Sequence, residues 1–526
     1  MFCSLALAAH WSDSELWALG LARDFFHSAQ PSTDYKFLFN LVLNLSYWEN
    51  LDNLQTVQAA RLIFATIGLG ALGLFSYVAY QLTGSQKRAA WSAFLFIVSP
   101  LFLLQAFRLR SDALAFFWQM AALAHYLGYR KKFEFSKIQI AIQVFLNVLI
   151  LLATPKGLFQ LIVNGVAIFL WERKGFSRKS QKLMAIPAVI VFVSFAVLLI
   201  WKHSQFWTAL VFFFKSYSTS PHHPGFLTVE SFLFVKEAIL QQLVYVVVFA
   251  GMLFYSKREG WKLQYPDVGA AALTALLLII LHNDRLPFFI YSLAGFPILY
   301  VALNSYEFFW NQPSKYNRVL GYFCVGALFI QAFFPVARVY REKNNIEQIE
   351  LQSRMHLYLQ SYRDVNYYDA TVVLPRDNKI FIFPAPEHEG NKGEVLGVLE
   401  DPKLDLVFFG NRLFYYMNEF YSRLEQKYFI EIGRGVFARS KVVFDTSSIN
   451  EEQWKKICSD LDAKSLYMYE GPHFLAMKPM LNGVVHSCSG PAPQWKTEQE
   501  FVAFSAFAPF EISNEKSFSQ VFDSSL

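Results

Sequence analysis

Up to about Val339, long apolar runs alternate with short basic clusters, and this pattern constrains the fold more than any other feature of the sequence. A run of about 20 mainly apolar residues is long enough to cross the hydrocarbon core of a bilayer as a helix. Candidate spans lie near 58–82, 91–107, 112–128, 138–154, 157–172, 184–201, 238–255, 267–282, 286–304 and 319–338. The sequence therefore predicts a mostly α-helical membrane protein with a polytopic domain of about 10–12 spans.

The composition agrees with two regions of different character. The chain is 54% hydrophobic and only 17% charged, whereas soluble domains contain about 25% charged residues. From Tyr340 onward the sequence reads like a soluble protein, with strand-like runs near 370–374, 380–383 and 406–409 and helical patterns near 411–426 and 450–462. We therefore expect a transmembrane domain over 1–339 and a soluble α/β or α+β domain over 340–526.

The basic clusters occupy every second loop between the predicted spans, and the intervening loops are poorer in Lys and Arg. They are Lys87-Arg88, Arg130-Lys131-Lys132, Arg173-Lys174 with Arg178, Lys257-Arg258, and Lys315 with Arg318. The positive-inside rule places these loops in the cytoplasm and the tail in the periplasm or an equivalent lumen, which fits a bacterial inner membrane. Because the net charge of +6 lies in these loops, we do not expect nucleic-acid binding.

Two features of the chain leave alternatives open. The apolar stretch Met1 to Ala9 is too short to cross a bilayer. It predicts either a short helix that dips into the membrane or the end of a longer first helix. Cys458 and Cys488 lie in the tail and could form a disulfide if that region faces an oxidising compartment.

Polar and charged residues that could carry chemistry lie in the loops predicted to be external. They are His10, Asp13, Glu15, Tyr35, Lys36, Arg108, Arg110, Asp112, Lys156, His222, His223, His282, Asp284 and Arg285. Ionisable groups at membrane depth are costly and tend to be functional, so their clustering on one side predicts a single site at the membrane boundary. The structural alternatives are that Asp13 and Glu15 only cap a helix, that the arginines reach toward lipid phosphates, that Lys156 marks a helix end and that the histidines are solvated.

Several kinds of site are not indicated. No ligand spacing typical of a metal site is present, and we expect no metal or other cofactor. There is no phosphate-binding P-loop and no Gly-x-Ser-x-Gly motif, which argues against nucleotide-driven pumping and a serine hydrolase of that type. Carboxylates, cations and a membrane edge together fit transfer of a sugar from a lipid phosphate, where cations stabilise the leaving phosphate and a carboxylate acts as base.

Six short motifs, spread over about 10–305, resemble the GT-C superfamily of polyprenyl-phosphate-dependent glycosyltransferases. Within it they look most like the protein O-mannosyltransferases and lipid A aminoarabinose transferases. They are His10-Trp11-Ser12-Asp13-Ser14-Glu15, Tyr35-Lys36, Ala60-Arg61-Leu62, Ser99-Pro100 with Arg108-Leu109-Arg110-Ser111-Asp112, Ala153-Thr154-Pro155-Lys156-Gly157, and His282-Asn283-Asp284-Arg285. In this sequence Phe37-Leu38 replaces the Pro-Pro of the family motif, and Ser14 separates the two acids.

The resemblance implies an inverting glycosyltransferase that uses a polyprenyl-phosphate sugar donor and a lipid, glycan or protein acceptor. It implies catalytic roles for Asp13, Glu15 and Asp112, with the base open between the first two. The substrate-binding candidates are Lys36, Arg110, Lys156, His222, His223, Asp284 and Arg285. Two other classes remain open: a polytopic transporter, which would need charges or broken helices at mid-membrane, and a non-catalytic scaffold whose periplasmic domain binds a partner.

Overall fold

A computed structural model of the chain describes a large part of both regions. The residues described are 6–7, 19, 37–46, 53–130, 136–154, 156–173, 242–259, 263–281, 287–311, 315–341, 366–369, 379–380, 391–408, 417–427, 429–433, 436–439, 442–445, 450–460, 465–470, 484–492 and 500–504. The chain divides into two compact units whose main segments are Gln55–Lys343 and Asn344–Leu526.

The first unit is helical throughout its described residues. Its helices are α1 (Phe37–Asn44), α2 (Asn53–Thr83), α3 (Gln86–Ile97), α4 (Pro100–Gln105), α5 (Ser111–Arg130), α6 (Lys137–Ala153), α7 (Gly157–Arg173), α8 (Leu243–Glu259), α9 (Pro266–Leu281), α10 (Pro287–Leu293), α11 (Gly295–Tyr306) and α12 (Lys315–Arg341). Helices occupy every predicted span except 184–201, which lies outside the described residues. The prediction of a mostly helical chain is confirmed.

Two of the described helices are long and apolar enough to cross a membrane: Gln55–Thr83 and Lys315–Ala337. Shorter apolar helices cover Lys137–Ala153, Gly157–Trp171, Leu243–Tyr255 and Pro266–Ile280. Large apolar side chains on α12 remain exposed, among them Phe323, Phe333 and Phe334. Such a surface is costly in water and is suited to hydrocarbon. The total of about 10–12 spans stays a prediction.

Two stretches predicted as single spans are each divided into two helices. The first divides at Ser99, which has an extended backbone, and Pro100 begins α4 because proline cannot supply the N–H that a continuous helix requires. The second divides at Ala294, between α10 and α11. Gly295 begins α11 at a position where an added Cβ would lie 2.8 Å from the Phe116 ring. Sequence length alone did not predict these divisions.

A π-helical turn, Glu307–Asn311, follows α11 directly. Glu307 and Phe308 are buried there. Turns of this kind are rare and are frequent at functional sites. Nothing in the hydropathy of the segment indicates the turn.

The second unit contains α13 (Asn391–Gly397), α14 (Met417–Gln426) and α15 (Glu451–Asp460). Its strands are β1 (Asn366–Asp369), β2 (Lys379–Ile380), β3 (Leu404–Phe408), β4 (Phe429–Gly433), β5 (Val436–Arg439), β6 (Val442–Asp445), β7 (Ser465–Glu470), β8 (Val484–Ser487) and β9 (Glu500–Phe504). One sheet has the order β2-β1-β3-β5-β4 and the other the order β6-β9-β7-β8.

The core of the second unit lies where α13 and α14 pack near the first sheet. Tyr368 of β1, Leu399, Val407 of β3 and Phe420 of α14 are buried together there. Leu406 and Val407 are adjacent in β3 and therefore face opposite sides of the sheet, and both are fully buried. A disulfide between Cys458 and Cys488 links α15 to the residues after β8, so the pairing that the sequence left open is present.

Candidate functional site

Three of the predicted site residues lie within the described part of the chain: Arg110, Asp112 and Lys156. The others, Asp13, Glu15, Lys36, His222, His223, Asp284 and Arg285, lie outside the described residues. Their places in the site remain predictions from the sequence.

Asp112 lies in the first turn of α5 and is only 4% exposed. Because the N-terminal turn of a helix carries a partial positive charge, it stabilises a carboxylate in that position. A tight turn precedes the helix: the Arg110 N–H donates to the Arg108 carbonyl at 2.7 Å, and the Ala113 N–H donates to the Arg110 carbonyl at 3.1 Å. The turn holds the half-buried Arg110 two residues from Asp112, so a cation and a carboxylate share one helix start.

Lys156 lies in the short turn between α6 and α7. Thr154 ends α6 with an extended backbone, and its carbonyl accepts a hydrogen bond from the Gly157 N–H at 2.9 Å. A Cβ at Gly157 would lie 2.5 Å from the Ile150 carbonyl oxygen, so the turn can close only with glycine at this position. The half-buried Lys156 is thereby held at the start of α7.

Two hydrogen bonds show how α5, α6 and α7 are aligned. Gln119 of α5 donates to the Asn164 side chain of α7 at 3.0 Å. The Nδ1 atom of His125 lies 2.8 Å from the Gln143 Oε1 atom of α6. Because the α6–α7 connection is short, α6 runs antiparallel to α7, and the two hydrogen bonds then set α5 parallel to α7.

This alignment places Asp112 and Lys156 at one end of the helix group. A helix rises about 1.5 Å per residue, so Gln119 lies about 10 Å below Asp112 and Asn164 about 12 Å below Lys156. The His125–Gln143 pair gives the same result, because the two residues are equally distant along the chain from Asp112 and Lys156. The structure thus places Arg110, Asp112 and Lys156 at the same end of the helix group, although they come from two separate segments.

A further buried cation, Arg61, was not among the residues predicted to act in the site. It lies in α2, it is 0% exposed, and its Nη1 atom donates to the Ala6 carbonyl at 2.9 Å. Its Cζ atom lies 5.6 Å from the centroid of the Phe107 ring, and the Arg108 Cζ atom lies 6.0 Å from the same ring. Phe107 precedes Arg110 in the chain, so Arg61 lies at the same end of the bundle as the other cations.

The sequence contained a signal for Arg61. A guanidinium keeps its charge at any ordinary pH, and a lone charged residue in a long apolar helix is a functional candidate by default.

One more contact connects this end to α10. Gln160, four residues after Lys156 on α7, donates from Nε2 to the Ser292 carbonyl at 3.2 Å. Among the described residues, no group of three or more His, Cys, Asp or Glu side chains has an arrangement that could hold a metal ion. The site as described is a cationic end of a helical bundle with one buried carboxylate.

A solved structure has a similar fold. The crystal structure of ArnT from Cupriavidus metallidurans bound to undecaprenyl phosphate matches this chain with a TM-score of 0.56. The alignment covers 83% of this chain and 95% of the ArnT chain, at 12% sequence identity. This chain has the GT-C fold. The resemblance predicted from the motifs is confirmed at the level of the fold.

A second solved structure is more distant. The oligosaccharyltransferase of Archaeoglobus fulgidus, tethered to an acceptor peptide through a disulfide bond, aligns over 81% of this chain and 70% of its own, with 14% identity. Its TM-score of 0.45 is too low to support a conclusion. No protein-family model matches the sequence, and no curated protein sequence matches it.

Proposed function

We propose that the protein is a membrane glycosyltransferase that moves a sugar from a polyprenyl-phosphate donor to an acceptor hydroxyl, with inversion, on the external face of the membrane. The observation that carries the proposal is the common level of Arg110, Asp112 and Lys156 at one end of a bundle with the GT-C fold. Donor and acceptor would meet at that end, and the apolar helices would hold the lipid tail.

The chemistry needs a base and a stabilised leaving group. In the proposed reaction a carboxylate takes the proton of the acceptor hydroxyl, and the hydroxyl oxygen forms a bond to the anomeric carbon from the face opposite the phosphate. The bond from that carbon to the phosphate oxygen breaks, and its electron pair stays on the phosphate. Cations at hydrogen-bond distance would stabilise the charge that develops there.

The proposed roles follow from position and charge. Asp13 is the proposed base, with Glu15 its partner or alternate. Lys36, Arg110 and Lys156 are the proposed ligands of the donor phosphate. Asp112 and Arg285 would shape the sugar site, and His222, His223 and Asp284 would complete the substrate-binding surface.

The proposed orientation places the basic loops in the cytoplasm and the second unit in the periplasm or an equivalent compartment. The Cys458–Cys488 disulfide supports this orientation independently, because disulfides persist mainly in oxidising compartments. A bacterial inner membrane fits both observations. In that orientation the second unit would face the compartment in which the acceptor, whether lipid, glycan or protein, is found.

The two rival classes fit the described residues less well. A transporter needs polar groups at mid-membrane that are open to a passing substrate. In the described bundle, Gln119 pairs with Asn164 and His125 with Gln143, so these groups join helices. A non-catalytic scaffold predicts external charges scattered around the bundle, whereas Asp112 and Lys156 lie at one level.

The test is a transfer assay on membranes that contain the protein. The membranes would be incubated with polyprenyl-phosphate sugars labelled in the sugar, and label would be followed into lipid, glycan and protein fractions. We expect label to leave the polyprenyl carrier only when the protein is present. The proposal would be contradicted if no donor transferred label and the protein also failed to bind polyprenyl phosphate.

A further inference from the structure

Asn40 is an unusual residue among those described. It lies near the middle of α1 and is 0% exposed. Within the described part of the chain, neither its Nδ2 nor its Oδ1 atom has a hydrogen-bond partner. Buried amides almost always have partners, and one with both atoms open needs an explanation.

Contacts of α1 place Asn40 near the proposed site. The neighbouring Phe39 packs edge-on against Phe64 of α2, with ring centroids 5.7 Å apart. Phe64 is three residues from Arg61, whose guanidinium lies over Phe107 next to the Arg108–Arg110 turn. Asn40 also follows Lys36 by four positions in the sequence. It therefore lies at the end of the bundle that carries the cations.

The chemistry of an amide limits what could satisfy Asn40. Its nitrogen can only donate and its oxygen can only accept. A phosphate group satisfies the nitrogen alone, and a lysine or arginine satisfies the oxygen alone. Sugar hydroxyls both donate and accept, so a sugar can satisfy both atoms at once.

We propose that Asn40 binds hydroxyl groups of the sugar that the polyprenyl-phosphate donor carries. The inference rests on the proposed function, and it adds a sugar-recognising residue on a segment between Lys36 and α2. A site built to hydrogen-bond a substrate hydroxyl is left with unpaired polar groups when that hydroxyl is missing. Asn40 would thus favour the loaded donor over the spent carrier, which promotes release of polyprenyl phosphate after transfer.

The experiment compares the affinities of two lipids for the purified full-length protein. The first lipid is polyprenyl phosphate without a sugar. The second is the preferred sugar-loaded donor, chosen from a panel of polyprenyl-phosphate hexoses and pentoses. In Asn40→Leu we expect affinity for the preferred loaded donor to fall about tenfold, with affinity for bare polyprenyl phosphate unchanged. The thermal stability of the variant without ligand should be equal or higher, because an apolar side chain replaces an unpaired buried amide.

Asn164→Leu is the matched control, since it is the same substitution at a buried amide whose partner is known. Loss of its hydrogen bond from Gln119 should lower thermal stability and leave the ratio of the two lipid affinities unchanged. Asn40→Ala serves as a second variant with no added bulk, and it should show the same fall in the affinity ratio.

An unchanged affinity ratio in both Asn40 variants would overturn the inference, because an amide satisfied by internal water does not distinguish loaded from bare lipid. Wild-type protein that binds neither lipid would overturn the proposed function as well. Wild-type protein that binds both lipids, with equal ratios in wild type and variants, would overturn only the role of Asn40.

Discussion

The Nε atom of Arg88 lies 2.6 Å from the Oε1 atom of Glu307. This ion pair joins the first turn of α3 to the π-helical turn after α11. The other carboxylate oxygen of Glu307 accepts a hydrogen bond from the Asn311 side chain at 2.7 Å. Both carboxylate oxygens therefore have close polar neighbours, at the end of the bundle that the sequence predicts to face the cytoplasm.

Removing one partner of this ion pair should destabilise the protein. Glu307 is only 7% exposed in its side chain and Arg88 is 24% exposed, so Glu307→Gln leaves a poorly solvated guanidinium without its counter-charge. Breaking a fully buried pair costs about 3–5 kcal/mol, and the partial exposure of Arg88 reduces our expectation to about 1–3 kcal/mol. Unfolding of the purified protein in detergent measures the change.

The double variant Arg88→Met with Glu307→Met is the control for that experiment. Replacing both charges with apolar side chains of similar length is often neutral or stabilising. Stability near the wild-type value in the double variant, with a loss in each single variant, would identify the ion pair as the cause. A single variant as stable as wild type would contradict a structural role for the pair.

Much of the helical unit could be predicted because a membrane span has a required length. The predicted 138–154 and 157–172 correspond to Lys137–Ala153 and Gly157–Arg173. The hydropathy of a helix does not indicate which of its faces packs against a neighbouring helix. It could therefore not predict the hydrogen bond between Gln119 and Asn164, which are 45 residues apart.

The site was harder to predict than the helices. The alternation of the loops predicts that Arg110, Asp112 and Lys156 lie at one end of the bundle, and the alignment of α5, α6 and α7 agrees with that placement; their roles in a site stay predictions. Arg61 was not predicted as a site residue, although it is the one charged residue of α2. Its position over the Phe107 ring, which comes from a distant segment, is visible only in the structure. Asn40 carries no local signal, since an amide among apolar residues becomes unusual only when its partners can be examined.

Cysteine accessibility tests the orientation of the chain. In a background with Cys3→Ser and Cys324→Ala and with the native disulfide kept, Lys137→Cys should resist a membrane-impermeant thiol reagent in intact cells. Glu394→Cys, at an exposed position of the second unit, should react. The expectation follows from the alternation of basic loops, and both cysteines should react after the membrane is permeabilised. The opposite pattern in intact cells would place the cationic end in the cytoplasm and remove the basis of the proposed site.

The base is tested with substitutions that keep size and remove proton affinity. We expect Asp13→Asn to lower the transfer rate by about 10²–10⁴-fold, as loss of a positioned base usually does, while donor binding stays near the wild-type value. If Glu15→Gln shows the loss and Asp13→Asn does not, the two roles exchange. Asp267→Asn is the control, because Asp267 lies in the first turn of α9, which follows the basic Lys257-Arg258 loop that the sequence predicts to be cytoplasmic. This variant should transfer normally. Full activity in both acid variants would contradict a carboxylate base in this segment.

The donor phosphate is tested with the three cations Lys36, Arg110 and Lys156, which come from separate segments. A charge-assisted hydrogen bond contributes about 1.5–3 kcal/mol, so Lys36→Ala and Lys156→Ala should each weaken donor binding about tenfold or more. Arg110→Lys should also weaken it, because a compact ammonium cannot replace a planar guanidinium that binds two phosphate oxygens.

A matched control separates phosphate binding from a general effect of charge. Lys137→Ala removes a lysine from the opposite end of α6, where it is exposed, and should leave donor affinity unchanged. Cations that only reach toward lipid headgroups would tolerate alanine, and lysine would substitute freely for arginine. Binding of labelled polyprenyl phosphate to the purified variants therefore decides between the two roles, and wild-type affinity in all three would restrict the proposed site to its carboxylates.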